Sequence, residues 1–383
     1  MVIRGAAVYT EDSRFENKDI FIDGDIFTDR DCSGEVVDGS GCIAIPGFTD
    51  IHFHGCVGKD FCDGSIEAID AIAAYQARVG VTTIAPATMT MDENTLYAVC
   101  DAAAEYRSRQ EAGEFAEGAI LCGINMEGPF ISREKMGAQN PEYIQRANDE
   151  LYQNMQKKSG GLIKLVAVAP ETEGAMQFIR DKRDETVLSV AHTTADYDTA
   201  MEAFDAGATH VTHLYNAMQP FSHRAPGVIG AAADAGAEAE LICDGVHVHP
   251  SAVRAAFKMF GEDNIIFISD SMMATGLADG DYSLGGQPVK VVGNLATLKD
   301  GTIAGSATNL MQCFRIAVQQ MKIPLETAVK CAAVNPAKSI GIYEKYGSIS
   351  AGKVANLILL DKDSLEVKQV ILRGKMLLAD EEI

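Results

Sequence analysis

Eight short apolar runs alternate with amphipathic stretches through the middle of the chain, and this alternation constrains the fold more than any other feature. The runs are Ala44–His52, Val81–Ala87, Ile120–Glu127, Ile163–Pro170, Val187–His192, His210–Leu214, Leu241–Asp244 and Ile265–Asp270. Each is close to continuously apolar, as strands buried on both faces of a parallel sheet require. Between them lie helical patterns. Ile66, Ile69, Ile72 and Ala73 recur at helical spacing ahead of Gly80, a C-cap signal; the Ala-rich stretch Thr95 to Gln110 is a second, and Ser251 to Phe260, after Pro250, a third. Strands alternating with helices predict a parallel α/β sheet, and eight is the count that closes a barrel. A doubly wound open sheet usually carries a Gly-rich turn after its first strand, and this chain has none there. The expected fold class is α/β, a (β/α)8 TIM-type barrel.

Both ends of the chain depart from the alternation. Asp19 to Phe27 is two apolar segments joined at Asp23-Gly24, a hairpin signal, and 355–360 and 367–372 also read as strands. A small β-sandwich domain built from 1–46 and 348–383 is therefore predicted, flanking a barrel over 47–347. The stretch Asp279 to Gly305 interrupts the alternation again and reads as a β-hairpin insertion.

Charge narrows the partners. Acidic side chains outnumber basic ones 54 to 32, a net charge of −22, which repels phosphate backbones and argues against nucleic acid. A small anionic ligand is compatible with that charge, because fields are largely screened beyond about 8 Å. No apolar run approaches the roughly 18 residues of a membrane span, so no membrane partner is expected. No apolar signal core follows Met1, and a cytoplasmic location is expected. The nine cysteines, an odd number with no C-x-x-C, predict free thiols in a reducing compartment. Cys56 and Cys62 lie near a histidine pair but read as small buried hydrophobes.

In such a barrel the C-terminal ends of the strands build the active site, and here those ends are crowded with chemistry. The first run ends Asp50-Ile51-His52-Phe53-His54, the third Asn125-Met126-Glu127-Gly128-Pro129. The fifth gives His192, the sixth His213 and Asn216, the eighth Asp270; Asp244-Gly245-Val246-His247 follows the seventh. His52 and His54 are two apart and share a strand face. Imidazole and carboxylate groups converging from several strands are what a divalent metal needs. Taken singly, a histidine is more often a satisfied core or surface residue, and Asp270 could be a helix N-cap. Those plainer readings would have to hold independently at five strand ends, and the metal reading prevails. His210, at an odd offset from His213, is expected to face away from the interior and to be structural.

Together these segments resemble the N-acetylglucosamine-6-phosphate deacetylases of the amidohydrolase superfamily. The resemblance rests on Pro46 to Gly55, Glu127-Gly128-Pro129-Phe130, Ala191-His192-Thr193, Thr212 to Met218, Asp244 to His247 and Ser269-Asp270, and it extends to Ala351 to Leu357. It implies that Glu127, His192 and His213 hold a catalytic metal, and that His52 and His54 hold a second ion sharing Glu127. The cofactor would be one or two divalent ions per chain, with Zn, Fe, Mn and Co not distinguished. It implies Asp270 as the catalytic aspartate and Asn216, Ala217, Arg224 and His247 as substrate contacts. Arg224 would read the phosphate, within its own chain or across a dimer interface. The backbone of Ile303-Ala304-Gly305 would line the sugar. The partner implied is a small phosphorylated amino sugar, and a homodimer or higher homo-oligomer is expected.

The chemistry agrees. A metal polarises the amide carbonyl and acidifies the attacking water, while Asp270 takes a proton and returns it to the departing amine. Arg224 offers a fork suited to phosphate. One position departs from the family pattern. Where members commonly carry a histidine twelve residues after the metal-binding glutamate, this chain has Gln139, after Ala138, and Gln139 is expected to donate to the acetyl carbonyl. The expected reaction converts N-acetyl-D-glucosamine 6-phosphate to D-glucosamine 6-phosphate and acetate, in amino-sugar catabolism and recycling. The alternatives are the galactosamine epimer, another N-acyl metabolite, or a non-catalytic scaffold with the same fold.

Overall fold

The computed structural model describes residues 1–31 and 34–377. Cys32 and the last part of the expected C-terminal β segment, 378–383, lie outside the described residues. Eight parallel strands form the centre: β1 (Phe48–Asp50), β2 (Val81–Ile84), β3 (Ile120–Leu121 with Ile124–Met126), β4 (Ile163–Val168), β5 (Val187–Val190), β6 (His210–Val211), β7 (Glu238–Ile242) and β8 (Ile265–Ile268). Pairing follows chain order from β1 to β8, with the first piece of β3 on β2 and the second on β4. The sheet curls. Just beyond the strand ends the Asp270 N–H donates to the His52 carbonyl at 2.9 Å, and Ser269 Oγ donates to Asp50 Oδ2 at 2.5 Å, linking β8 back towards β1.

Burial explains the apolar runs. Every residue of β2 and β8 is buried, because one sheet face meets the interior and the other meets helices. The helices include α1 (Ile66–Arg78), α2 (Glu93–Glu111), α3 (Asp149–Lys158), α4 (Ala175–Lys182), α5 (Tyr197–Ala206), α6 (Gly227–Ala235), α7 (Pro250–Phe260) and α8 (Leu310–Gln319). Helix α1 starts where the Ser65 side chain accepts the Ala68 N–H and buries Ile69, Ile72 and Ala73, the face its periodicity predicts. Among the described residues no helix is long and apolar enough to cross a membrane.

Segments from both ends form two further sheets. One holds Val2–Arg4, Ile20–Asp23, Ile26–Thr28 and Val36–Asp38; the other joins Ala7–Tyr9, Phe15–Asn17 and Cys42–Pro46 to Leu357–Asp361, Val367–Leu372 and Lys375–Met376. Ile3, Ile22, Phe27, Ala44, Leu357 and Ile371 share one buried cluster. The Asp-Gly hairpin is present, with Asp23 paired to Ile26.

The insertion is larger than the expected hairpin. It has three antiparallel strands, Gly280–Leu284, Gln287–Val292 and Leu295–Thr297. Two glycine turns, at Gly285-Gly286 (φ 56° and 77°) and at Gly293 (φ 59°), permit two chain reversals where one was read. Its apolar face, with Leu284, Val289 and Val291, packs on Met89 and Met272. From it Gln287 Nε2 donates to the Ala138 carbonyl at 2.6 Å, so the insertion steadies the loop that carries Gln139.

Candidate metal centre and active site

Each expected ligand, and the expected catalytic aspartate, sits at or within a few residues of a strand end: His52 and His54 past β1, Glu127 past β3, His192 past β5, His213 past β6 and Asp270 past β8. Three of them lie in the left-handed region that non-glycine residues avoid: His192 at φ 44°, His213 at 29° and Asp270 at 50°. Such strain persists only where the surroundings enforce it, and it clusters at functional sites. Hydrogen bonds supply the enforcement. The Ser132 N–H donates to the His192 carbonyl at 2.9 Å, and the Ser306 N–H to the Asp270 carbonyl at 2.7 Å. Gly128, after Glu127, is required by crowding, since a Cβ there would lie 2.1 Å from Thr90 Oγ1.

The side chains converge on Glu127, which is 2% exposed. Its Oε1 lies 3.0 Å from His192 Nε2, 3.2 Å from His213 Nε2 and 3.4 Å from His52 Nε2; its Oε2 lies 3.4 Å from His54 Nε2. Two groups could therefore hold an ion, Glu127 with His192 and His213 and Glu127 with His52 and His54. The protonation pattern fits. His192 Nδ1 lies 2.8 Å from the Lys135 carbonyl and His52 Nδ1 lies 2.7 Å from Glu240 Oε2, so both rings carry their proton on Nδ1 and present the Nε2 lone pair inward. His52 Nε2 is buried with no hydrogen-bond partner, and the Nε2 atoms of His192 and His213 are 3.1 Å apart. Lone pairs facing one another around a carboxylate are what a bound cation satisfies, and nitrogen with oxygen donors suits a divalent transition metal.

Electrostatics keep the carboxylates charged. Burial alone would raise the pKa of Glu127, but the rings of His52, His192 and His213 hold it well below the usual carboxylate range. Asp270 is lowered in the same way: burial opposes ionisation, and the hydrogen bond from His54, at 3.2 Å, with the charge of His52 overcomes it. A buried Asp270 that stays ionised is able to accept a proton.

His54, Glu127, His192, His213 and Asp270 line a cavity of about 370 Å³, together with Ala138, Gln139, Asn216, Ala217, His247, Ile303 and Gly305. Ala304 is fully buried behind its neighbours. Gln139 is fixed at both ends, its Nε2 donating to Glu127 Oε2 at 2.6 Å and its Oε1 accepting the Thr90 N–H at 2.7 Å. Asn216 Nδ2 donates to the His213 carbonyl at 3.3 Å, tying a cavity wall to a residue of the candidate metal centre. Arg224 is different. It lies in an exposed turn between Ser222 and Ala225, and the single chain does not bring it to the cavity lining.

Four further residues escaped the sequence reading. Glu240 is fully buried within β7 and holds His52. Its signal in the sequence is weak, because β7 reads Glu-Ala-Glu-Leu-Ile and the continuously apolar run begins only at Leu241. Asp244 Oδ2 holds His247 Nδ1 at 2.7 Å while Oδ1 accepts the Val246 and His247 N–H groups. Thr90 anchors Gln139, and Lys135 is the one lysine or arginine among the described residues lining the cavity. His210 stands outside the metal-holding groups, but its Nε2 lies 3.3 Å from Glu240 Oε1. Burial pushes the thiols of Cys56 and Cys62 up, so both stay protonated.

The chain belongs to the amidohydrolase family, whose model matches residues 43–377. Within it, the likeness is to sugar-phosphate deacetylases along the full length. The chain is 38% identical to the N-acetylglucosamine-6-phosphate deacetylase of Bacillus subtilis, over 100% of this chain and 98% of that one. It is 32% identical to the N-acetylgalactosamine-6-phosphate deacetylase of Escherichia coli O157:H7, over 98% of each. An aspartate-to-alanine mutant of the N-acetyl-D-glucosamine-6-phosphate deacetylase from Mycobacterium smegmatis, solved in complex with N-acetyl-D-glucosamine-6-phosphate, superposes with a TM-score of 0.90 at 30% identity, covering 98% of both chains.

Proposed function

We propose that this chain hydrolyses the acetamide of N-acetyl-D-glucosamine 6-phosphate to D-glucosamine 6-phosphate and acetate. The observation that carries this is the convergence of four histidines and an ionised Asp270 on Glu127, at the wall of a cavity sized for one sugar phosphate, in a chain that matches such deacetylases end to end. Divalent metal held by Glu127, His192 and His213, with a second ion at His52, His54 and Glu127, would polarise the amide carbonyl and acidify water for attack. Asp270 accepts the proton of the attacking water and then delivers it to the amine as the C–N bond breaks. Its position 3.2 Å from His54 fixes the carboxylate towards the reacting centre. His247, held through Nδ1 by Asp244, turns its Nε2 to the cavity and orients the substrate with Asn216 and the backbone around Ala217 and Gly305. Gln139 keeps Glu127 in place and has a second amide hydrogen for the acetyl oxygen.

Arg224 reads the phosphate from across a dimer interface, which is consistent with its exposure in the single chain, and the enzyme works in the cytoplasm in amino-sugar turnover. The β8-to-β1 hydrogen bonds support a fully closed (β/α)8 barrel over 47–347, and the shared cluster between the two terminal sheets supports a β-sandwich from 1–46 and 348–383. The galactosamine epimer is the second reading, favoured by the Escherichia coli relative. Acetate release from the two epimeric 6-phosphates, and from N-acetylglucosamine without phosphate, tests the proposal. The expected order is glucosamine epimer first and the unphosphorylated sugar far behind. Equal turnover of all three would refute it.

A further inference from the structure

A carboxylate with no exposed surface in the middle of a parallel sheet needs partners, because a buried unpaired charge is strongly destabilising. Glu240 is such a group, 0% exposed on β7. Its Oε2 lies 2.7 Å from His52 Nδ1 and accepts the backbone N–H of His213 at 3.1 Å; its Oε1 lies 3.3 Å from His210 Nε2. His210, also fully buried, faces a second carboxylate, with Nδ1 3.5 Å from Glu238 Oε2, and Ser339 Oγ donates to that same oxygen at 2.5 Å. Carboxylates and imidazoles thus alternate in a chain from the candidate metal centre through the protein: Glu127, His52, Glu240, His210, Glu238.

We infer that Glu240 is the positioning residue of the metal centre, with His210 as its counter-charge. Through the side chain of His52 and the backbone of His213, one carboxylate holds a member of each three-residue group at once. It fixes the proton of His52 on Nδ1 and so commits Nε2 to the metal. A carboxylate behind a ligating imidazole also makes that ring a stronger donor. His210 lets Glu240 remain a carboxylate without exposed surface. The inference rests on the metal reading above.

Divalent-ion affinity decides it. Wild type, Glu240→Gln and Glu240→Met would be stripped, loaded with cobalt(II) and titrated against a chelator while the visible spectrum is followed. Gln can still accept the His52 proton but carries no charge, whereas Met accepts nothing. Affinity should therefore fall in the order wild type, Gln, Met, with Glu240→Met about 10- to 100-fold weaker and the cobalt spectrum altered. Thermal unfolding of the metal-free forms separates a folding defect from a loss at the site. Should neither Glu240 variant fold, His210→Gln leaves the carboxylate in place, and a several-fold weaker affinity is expected there. Unchanged affinity and spectrum in folded variants, with only thermal stability altered, would overturn the inference alone. A wild-type chain that takes up no divalent ion would overturn it together with the metal reading.

Discussion

Gln139 holds Glu127 from above: its amide N–H meets Glu127 Oε2 at 2.6 Å while the Thr90 N–H fixes its carbonyl at 2.7 Å. The orientation of the amide is therefore not free, and its nitrogen must face the carboxylate. Removing the amide leaves a buried donor and a buried acceptor without partners, which costs about 1–3 kcal/mol. Gln139→Ala is expected to lower turnover by about ten-fold or more and to weaken metal binding with it. Gln139→Glu should be worse, since it places a second carboxylate against Glu127. Steady-state kinetics beside metal titration would show this; an Ala variant with native turnover would return Gln139 to the role of a passive wall.

Asp270→Asn removes the proposed proton acceptor but keeps the side-chain shape. Turnover should drop by roughly 10²–10⁴-fold while bound metal is retained. A variant keeping more than about a tenth of wild-type turnover, well short of that loss, would move proton transfer to another group.

Two cations are the candidates for reading the phosphate. Arg224→Ala should raise KM for the phosphorylated sugar far more than for the unphosphorylated one, and mixing it with a Glu127-defective chain tests whether Arg224 serves its neighbour. Lys135 lines the cavity from its own chain, so Lys135→Ala should raise KM without needing a second subunit. Equal effects on both sugars would mean that neither residue reads phosphate.

The His210–Glu240 pair makes a pH prediction for the metal-free protein. Burial by itself would lower the pKa of His210, but Glu238 and Glu240 raise it from 6.5 to about 9. A folded-state value above the unfolded one means that its stabilisation is fully present below pH 6.5 and is lost as pH rises through about 9. Glu240 moves the other way. Burial opposes its ionisation, but His52 and His210 lower it to about 2, so its contribution is present above pH 4.5 and is lost only as pH falls towards 2. Thermal unfolding of the stripped protein should lose stability between pH 6.5 and 9. His210→Gln should flatten that loss, and parallel curves for the two proteins would refute the assignment.

Much of this was readable before any coordinates. The apolar runs mark all eight strands because a two-sided strand leaves no room for alternation, and Glu127, His192, His213, His52, His54 and Asp270, which the structure brings together, stand out because imidazole and carboxylate groups interrupt apolar runs at their ends. The insertion was under-read because consecutive glycines do not say how often a chain reverses. Glu240 and Asp244 were missed for a different reason. Each acts by holding another side chain: Glu240 reaches His52, 188 residues away, which leaves no local pattern, and Asp244 lies three residues before His247 in a segment whose sequence does not say what the carboxylate holds. Arg224 remains the reverse case, clear as a motif and distant from the cavity of its own chain.

The central claim is tested most directly by acetate release from N-acetyl-D-glucosamine 6-phosphate by stripped protein as a divalent ion is added back. Acetate and free amine should appear in equal amounts, rise with the ions bound, and stay absent in His192→Gln, which should lose metal and activity together. A metal-loaded wild-type chain that releases no acetate, or a stripped one that releases it at the full rate, would contradict the account.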